Sequence, residues 1–338
     1  MPYVELHCHS AYSFLDGASQ PEELAARAAD LGYGALALTD HDGVYGSLEF
    51  AHAAKALGLR AITGAELTVL PGPEGLRGAP PPGAPAGAAH LTVLVETQQG
   101  YANLCRLLTQ AHAGTRPPGR EHEPQPPALL LDALLERADG LVVLSGCARH
   151  GVGMRSLAAA ERLARELGPE RFLVELQRPY ERGDARRLAA LRDLAGHLGV
   201  PTVATGNVHC HARRRTPLQD VLVALRHRTT LEGSEQERRG NRESVLAPPE
   251  SLLERFPRDH DAVHRAGELA ERLTFDLTQE LGYRYPDFSD GDEPADALLR
   301  RLTEREFGIR YANANGHKRR AWQRLQEELD LIAYLGLA

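Results

Sequence analysis

Val4-Glu5-Leu6-His7-Cys8-His9-Ser10 is the stretch whose reading decides the fold. A short apolar run ends in two histidines that flank one residue. In a strand, residues i and i+2 point to the same side, so both imidazoles can reach one centre. The pattern recurs downstream. Leu38-Thr39-Asp40-His41-Asp42, Gly64-Ala65-Glu66, Ser145-Gly146-Cys147 and Gly206-Asn207-Val208-His209 each follow a short apolar run, and His90 stands beside another. Side chains at the ends of successive barrel strands converge on one face. His, Asp, Glu and Cys are common ligands of divalent metals. The series reads as a multinuclear metal site suited to cutting a phosphate ester, with Asp40, His41 and Glu66 as its catalytic group.

Each group gains meaning from its surroundings. Asp16, in Leu15-Asp16-Gly17-Ala18, follows the first motif, where an Asp-Gly pair alone marks a turn. Asp40 precedes His41, and an acid beside a ligating histidine either orients it or supplies another donor. Glu66 ends its run after Gly64, whose small size permits close approach, and its two oxygens can bridge two metals. His90 precedes a strand instead of following one, so it has to reach the pocket from a loop. A free cysteine is most often a small buried hydrophobe, yet Cys147 at a strand end beside imidazoles is a credible zinc ligand. His209, two residues after Asn207, repeats the geometry of His7 and His9. No single signal is specific; their joint recurrence is. Two or three metals in such a pocket would activate a water and stabilise both the attacking and leaving oxygens of a phosphate. No Gly-rich phosphate loop or G-x-S-x-G elbow offers another chemistry.

Up to about residue 210, short β-like runs alternate with amphipathic helical runs. Strands are expected at residues 3–6, 35–38, 61–70, 91–95, 141–144, 172–176 and 202–205. Helices are expected at 21–31, 47–57, 101–112, 157–167 and 185–198. The first of these has Ser19 as N-cap, Pro21 in its first turn and Gly32 as its stop. Residues 71–89 and 114–127 are rich in breakers and read as loops. Such alternation predicts parallel β units. The expected fold class is α/β, a distorted seven-stranded barrel, with an open doubly wound sheet as the alternative. After His211 the pattern becomes mostly helical. Two domains are therefore expected: a barrel over residues 1–212 and a helical extension over 213–338.

The 338 residues, 42% hydrophobic and 25% charged, have the composition of an ordinary globular protein. A net charge of −7 argues against a chain whose main role is to coat nucleic acid. Arg213-Arg214-Arg215 and Lys318-Arg319-Arg320 are candidate basic strips, though short runs usually form solvated surface. The four cysteines form no C-x-x-C pair, which speaks against a disulfide framework and for a reducing cytoplasm. No apolar stretch is long enough to span a membrane and the first residues lack a signal-peptide pattern, so no membrane partner is expected.

These residues closely resemble the polymerase and histidinol phosphatase (PHP) domain at the N-terminus of bacterial C-family DNA polymerases. The resemblance is carried by His7-Cys8-His9-Ser10, Ser13-Phe14-Leu15-Asp16-Gly17-Ala18, Thr39-Asp40-His41, Gly64-Ala65-Glu66, His90-Leu91, Gly100-Tyr101-Ala102-Asn103-Leu104 and Ser145-Gly146-Cys147. The stretch from Asn207 to Asp220 looks most like the error-prone branch, and the likeness continues through Ala270-Glu271-Arg272 and Tyr285-Pro286-Asp287-Phe288. It implies a PHP-type barrel binding up to three divalent metals, zinc foremost, with manganese or magnesium as alternatives. By that match the metal positions are His7, His9, Asp16, His41, Glu66, His90, Cys147, Asn207 and His209. Asn207 departs from the family, whose active form usually has Asp there. The implied activity is a metal-dependent phosphoesterase, extending to a 3′–5′ exonuclease, within DNA synthesis, repair and translesion synthesis. The implied partners are DNA, in the context of the full polymerase, and other subunits of a replication or mutasome complex. The palm would begin about where this sequence stops, so these residues alone are not expected to polymerise DNA. Two other readings stand beside it: a free-standing phosphatase for a small phosphate ester, and a non-catalytic metal-bound structural or docking module.

Overall fold

The segment that carries His7 and His9 is held as a strand from both sides. The computed structural model describes residues 2–72, 77–119, 122–279, 289, 293–312 and 317–338. The Tyr285–Phe288 stretch lies outside the described residues. Strands β1 (Ala35–Leu38), β2 (Arg60–Leu70), β3 (Ala89–Val95), β4 (Leu129–Leu130), β5 (Leu141–Leu144), β6 (Phe172–Gln177) and β7 (Thr202–Thr205) form one sheet. Its order is β1-β2-β3-β5-β6-β7, with β4 paired to β2. The N-terminal segment closes this sheet into a ring. Glu5 bridges Leu36 of β1, and Cys8 bridges Val208 just past β7, both in parallel. A distorted barrel results: the N-terminal segment and six of the strands make the wall.

The wall is parallel except at β3, which pairs antiparallel with both β2 and β5. The start of β3 therefore lies at the same end as the finish of its neighbours. Thr68, late in β2, faces His90, and Leu144, the last residue of β5, faces Thr92. His90 thus reaches the common face from within a strand, not from a loop as expected. Two glycines allow the wall to close tightly. A Cβ on Gly64 would stand 2.5 Å from the Val93 carbonyl oxygen of the paired strand. Gly146 has φ +87°, and its Cβ would come within 2.1 Å of the His90 carbonyl oxygen, so only glycine fits there.

Helices α1 (Pro21–Asp30), α2 (Ser47–Ala56), α3 (Gln98–His112), α4 (Leu131–Glu136), α5 (Val152–Arg155), α6 (Leu157–Leu167) and α7 (Asp184–Leu198) follow strands or their loops. Strands covered on both faces read as continuous apolar runs, and every residue of β1, β3, β5 and β6 is buried. The α1 N-cap is Gln20, one residue past the expected Ser19; the Gln20 N–H donates to Glu23 Oε2 at 2.9 Å. Ser19 is drawn away because its hydroxyl meets His211 Nδ1 and accepts the His211 N–H, both at 2.8 Å.

The first compact unit runs to residue 281, so the expected boundary at 212 falls inside it. Helices α8 (Thr216–Arg226), α9 (Ser251–Arg255) and α10 (His260–Arg272) belong to this unit. The physical reason is packing: α10 lies on β7, with Arg265 donating to the Thr202 carbonyl at 2.8 Å. Arg60, at the start of β2, donates to the Leu273 carbonyl at 2.8 Å just past α10. The second unit, residues 282–338, contains α11 (Ala295–Arg310) and α12 (Lys318–Leu335). Phe307 joins them, stacking on Tyr311 at 4.4 Å and meeting Trp322 edge-on at 5.0 Å. No helix among the described residues is long and apolar enough to cross a membrane.

Candidate metal centre

Glu66 is the hub of the common face. Its Oε1 lies 3.6 Å from His7 Nε2 and 3.3 Å from His90 Nδ1. Its Oε2 lies 3.6 Å from His9 Nε2 and 3.0 Å from His41 Nδ1. Four imidazoles from three parts of the wall thus surround one buried carboxylate. Burial opposes ionisation of Glu66, but His90, His41 and His7 outweigh it and hold the carboxyl well below its usual range. Cys147 Sγ stands 3.5 Å from His90 Nδ1. Burial, reinforced by Glu66, pushes that thiol well above its usual value.

Two outer relays fix how His7 and His9 present themselves. His7 Nδ1 meets Glu175 Oε1 at 2.7 Å, which assigns the Nδ1 proton and turns Nε2 inward. Ser13 donates to Asp40 Oδ1 at 2.7 Å, so its oxygen is left to accept from His9 Nδ1 at 3.0 Å. His9 Nε2 therefore also faces inward, and the two Nε2 atoms stand 3.0 Å apart. Two lone pairs at that separation repel unless a proton or a cation lies between them. Without a metal the proton sits on His7: burial disfavours its charge, but Glu175 and Glu66 raise its pKa well above the usual value. Burial, with His41, His209 and His7 as neighbours, depresses His9 well below it. Buried Glu66 Oε1 and Asn207 Oδ1 also lack hydrogen-bond partners. A divalent cation beside His7, His9 and Glu66 resolves the repulsion and the unmet Glu66 Oε1, and imidazole, carboxylate and thiolate donors suit one. Three groups of donor atoms lie close enough to share an ion: His7, His9 and Glu66; His41, Glu66 and His90; His9, His41 and His209.

Asp40 does not face this cluster. Its carboxylate accepts from Ser10 N, Ser10 Oγ and Ser13 Oγ, each at 2.7 Å, and it is fully buried. The structure turns Asp40, expected to be catalytic, toward Ser10 and Ser13, where it is placed to brace Ser13. Asp16 does reach the cluster: its Oδ2 is 3.3 Å from His41 Nε2 and 3.5 Å from His209 Nε2. His209 Nδ1 donates to the Asn207 carbonyl at 2.9 Å. Asn207 has φ +49°, a left-handed conformation that Asn and Asp tolerate best. Its Nδ2 donates to Gln177 Oε1 at 3.2 Å.

Asp16, His41, Glu66, His90, Cys147, Asn207 and His209 line a cleft of about 330 Å³; His7 and His9 lie behind Glu66 with no exposure. The fold therefore assembles all nine positions and leaves out Asp40. Sequence reasoning missed Glu175 and Gln177 on β6, which hold each other at 2.7 Å beneath His7. Their signal was available: two polar residues at period 2 inside Phe172-Leu-Val-Glu-Leu-Gln, otherwise a core run. It also missed Arg226 and Arg239, which line the cleft. Arg239 donates to His209 Nε2 at 2.5 Å, and Arg226 Nη1 lies 3.3 Å from Asp16 Oδ2. In the flagged basic run, Arg213 and Arg215 pair with Glu243 and Glu23.

A family model described as "PHP domain" matches residues 5–179. Among curated relatives, an error-prone DNA polymerase of Symbiobacterium thermophilum is 39% identical over 99% of this chain and 31% of its own length. One from Cutibacterium acnes is 38% identical over 100% of this chain and 29% of its own. The chain thus spans about 30% of the length of such relatives. A solved structure described as a metal-dependent phosphoesterase from Bifidobacterium adolescentis covers 62% of this chain and 89% of its own, at 15% identity and a TM-score of 0.44.

Proposed function

This chain belongs to the PHP-domain family, and from that premise we propose that its cleft is a divalent-metal phosphoesterase site acting on the phosphodiesters of DNA. We place the chain in the N-terminal region of a polymerase of the error-prone type. The similarity to error-prone polymerases over nearly all of its residues supports that placement. In this reading DNA is the partner, synthesis past damage and repair are the setting, the compartment is the cytoplasm, and further replication or mutasome subunits would join the full protein.

The observation that carries the reading is the pair of inward-facing Nε2 atoms of His7 and His9, 3.0 Å apart beside Glu66 Oε1, which has no hydrogen-bond partner. His7, His9, Glu66, His41 and His90, with Cys147, would hold the metals, zinc foremost and manganese or magnesium as alternatives; Asp16, Asn207 and His209 complete the candidate set. Divalent metal, when bound, polarises a phosphoryl oxygen and lowers the pKa of water. Glu175 and the Ser13–Asp40 pair keep the two Nε2 atoms aimed inward. Glu66 offers one oxygen to each side of the cluster. Arg149, whose fork is held by Glu181, and Arg226, beside Asp16, place positive charge on the cleft wall where a phosphate would lie.

The test is metal analysis of the purified protein together with hydrolysis of a 3′-labelled single-stranded oligonucleotide. Two or more metals per chain with release of the label from the 3′ end are expected. His9→Ala should lower the metal content and abolish cutting; metal content unchanged in that variant would overturn the assignment. Neutral Asn207 and the arginines at Asp16 favour one alternative, a metal-bound module without turnover, which the same experiment would show as bound metal without cutting.

A further inference from the structure

The two ends of the cleft are built differently. Among the described residues, the ion-pair partners of Glu66 are imidazoles alone. Asp16, at the other end, is paired with imidazoles and also with two guanidinium groups. Arg226 Nη1 lies 3.3 Å from its Oδ2 and Arg239 Nη2 lies 3.9 Å from its Oδ1. The Arg239 side chain is only 14% exposed. It is therefore part of the wall of the site, not a surface group that has fallen inward.

Arg239 also uses the atom that a metal would need. His209 Nδ1 donates to the Asn207 carbonyl at 2.9 Å, so its proton is on Nδ1 and its one in-plane lone pair is on Nε2. That lone pair accepts the Arg239 N–H at 2.5 Å. A metal bound to an imidazole sits at about 2.0–2.1 Å along the same direction, so guanidinium and metal exclude each other. The neighbouring residue supports the guanidinium. Asn207 presents a neutral amide, whose Nδ2 is turned to Gln177. A carboxylate there would add the charge that draws in a dication. With Asn207 neutral, one carboxylate already faces two fixed cations.

Building on the metal reading above, we infer that Arg239 takes the place of a metal at the Asp16, Asn207 and His209 corner, so that the cleft binds two divalent ions and not three. The two are held by His7, His9 and Glu66, and by His41, Glu66 and His90. The group formed by His9, His41 and His209 is close enough to share an ion, but its His209 nitrogens are both committed. His209 and Asp16 then serve to hold Arg239, and the guanidinium supplies the positive charge at that corner.

The test counts metals per chain after equilibration with zinc and, separately, manganese, by mass spectrometry, with a thermal melt to confirm folding. The wild type is expected to hold two equivalents and Arg239→Gln three. His209→Gln, which keeps an acceptor for Arg239, is expected to stay at two. Three equivalents in the wild type, falling to two in His209→Gln, would overturn the inference while leaving the metal reading intact. So would two equivalents in both the wild type and a folded Arg239→Gln. No metal in the wild type would bring down the metal reading, and this inference with it.

Discussion

Replacing Glu175 by alanine tests whether the metal centre depends on a residue that would touch no metal. Glu175 Oε1 accepts from His7 Nδ1 and Gln177 Nε2 at 2.7 Å and from Thr205 Oγ1 at 2.5 Å; Oε2 accepts from Thr92 Oγ1 at 3.1 Å. The threonine hydroxyls can turn elsewhere, but the imidazole and amide N–H groups cannot. Alternative acceptors exist, Thr92 Oγ1 at 3.0 Å from His7 Nδ1 and Thr205 Oγ1 at 3.2 Å from Gln177 Nε2. Two bonds to a charged acceptor, worth about 1.5–3 kcal/mol each, are thus exchanged for neutral ones worth about 0.5–1.5, a net loss of roughly 2–3 kcal/mol. Deleting one buried methylene adds about 0.8 kcal/mol. The expected loss is therefore about 3–4 kcal/mol for Glu175→Ala and roughly 2 kcal/mol for Glu175→Gln, which keeps the volume and one acceptor oxygen. Loss of this partner should also weaken metal binding by about 10–100-fold, because His7 is no longer held with Nε2 inward. Urea unfolding in a chelator measures the first quantity, and competition with a chromophoric chelator the second. If Glu175→Ala unfolds within about 1 kcal/mol of the wild type and binds metal equally well, the relay argument is wrong.

Two further substitutions probe the same scaffold. Asp40→Ala frees the Ser13 hydroxyl to donate to His9 Nδ1, which reverses the tautomer, so metal affinity should fall by about 10–100-fold; Asp40→Asn keeps an acceptor for Ser13 and should stay within about tenfold of the wild type. Equal losses in both variants, measured by the same competition titration, would refute the relay through Ser13. Gly146→Ala places a methyl 2.1 Å from the His90 carbonyl oxygen at φ +87°. Because a paired strand cannot yield, it should cost about 2 kcal/mol or more and displace His90 and Cys147 together. An unchanged melting temperature would show that the strand gives way after all.

The sequence made the donors legible because they obey strand grammar. His7 and His9 share parity, and Glu66, Cys147 and His209 follow apolar runs, so a barrel with converging donors could be expected from the pattern, whereas the full set of nine positions, Asp16 and Asn207 among them, was implied only by the resemblance to PHP domains. Three things were not legible. The reversal of β3 depends on pairing across the sheet, which local periodicity does not encode, and it alone explains how His90 reaches the face from within a strand. The role of Asp40 depends on whether its side chain turns toward the donors or toward Ser10 and Ser13, a choice of less than a residue's width. The arginines at the mouth come from residues 226 and 239, far along the chain in a region that reads as helix and loop.

The same contrast runs through the cleft itself. Glu66 and His90 sit on paired strands, and His7 and His9 on a segment bridged on both sides. A site built on strands is held more closely than one built on loops, and here Glu175 and Asp40 brace it from behind. At the mouth, Asp16 lies in a turn and Asn207 needs a left-handed backbone. Their neighbours are guanidinium groups, which need neither fixed coordination geometry nor a deprotonated ligand set. The strand-built end therefore suits a metal, with fixed tautomers and a shared carboxylate whose ion-pair partners among the described residues are imidazoles alone, whereas the corner at Asp16, with Arg226 and Arg239, suits an anion.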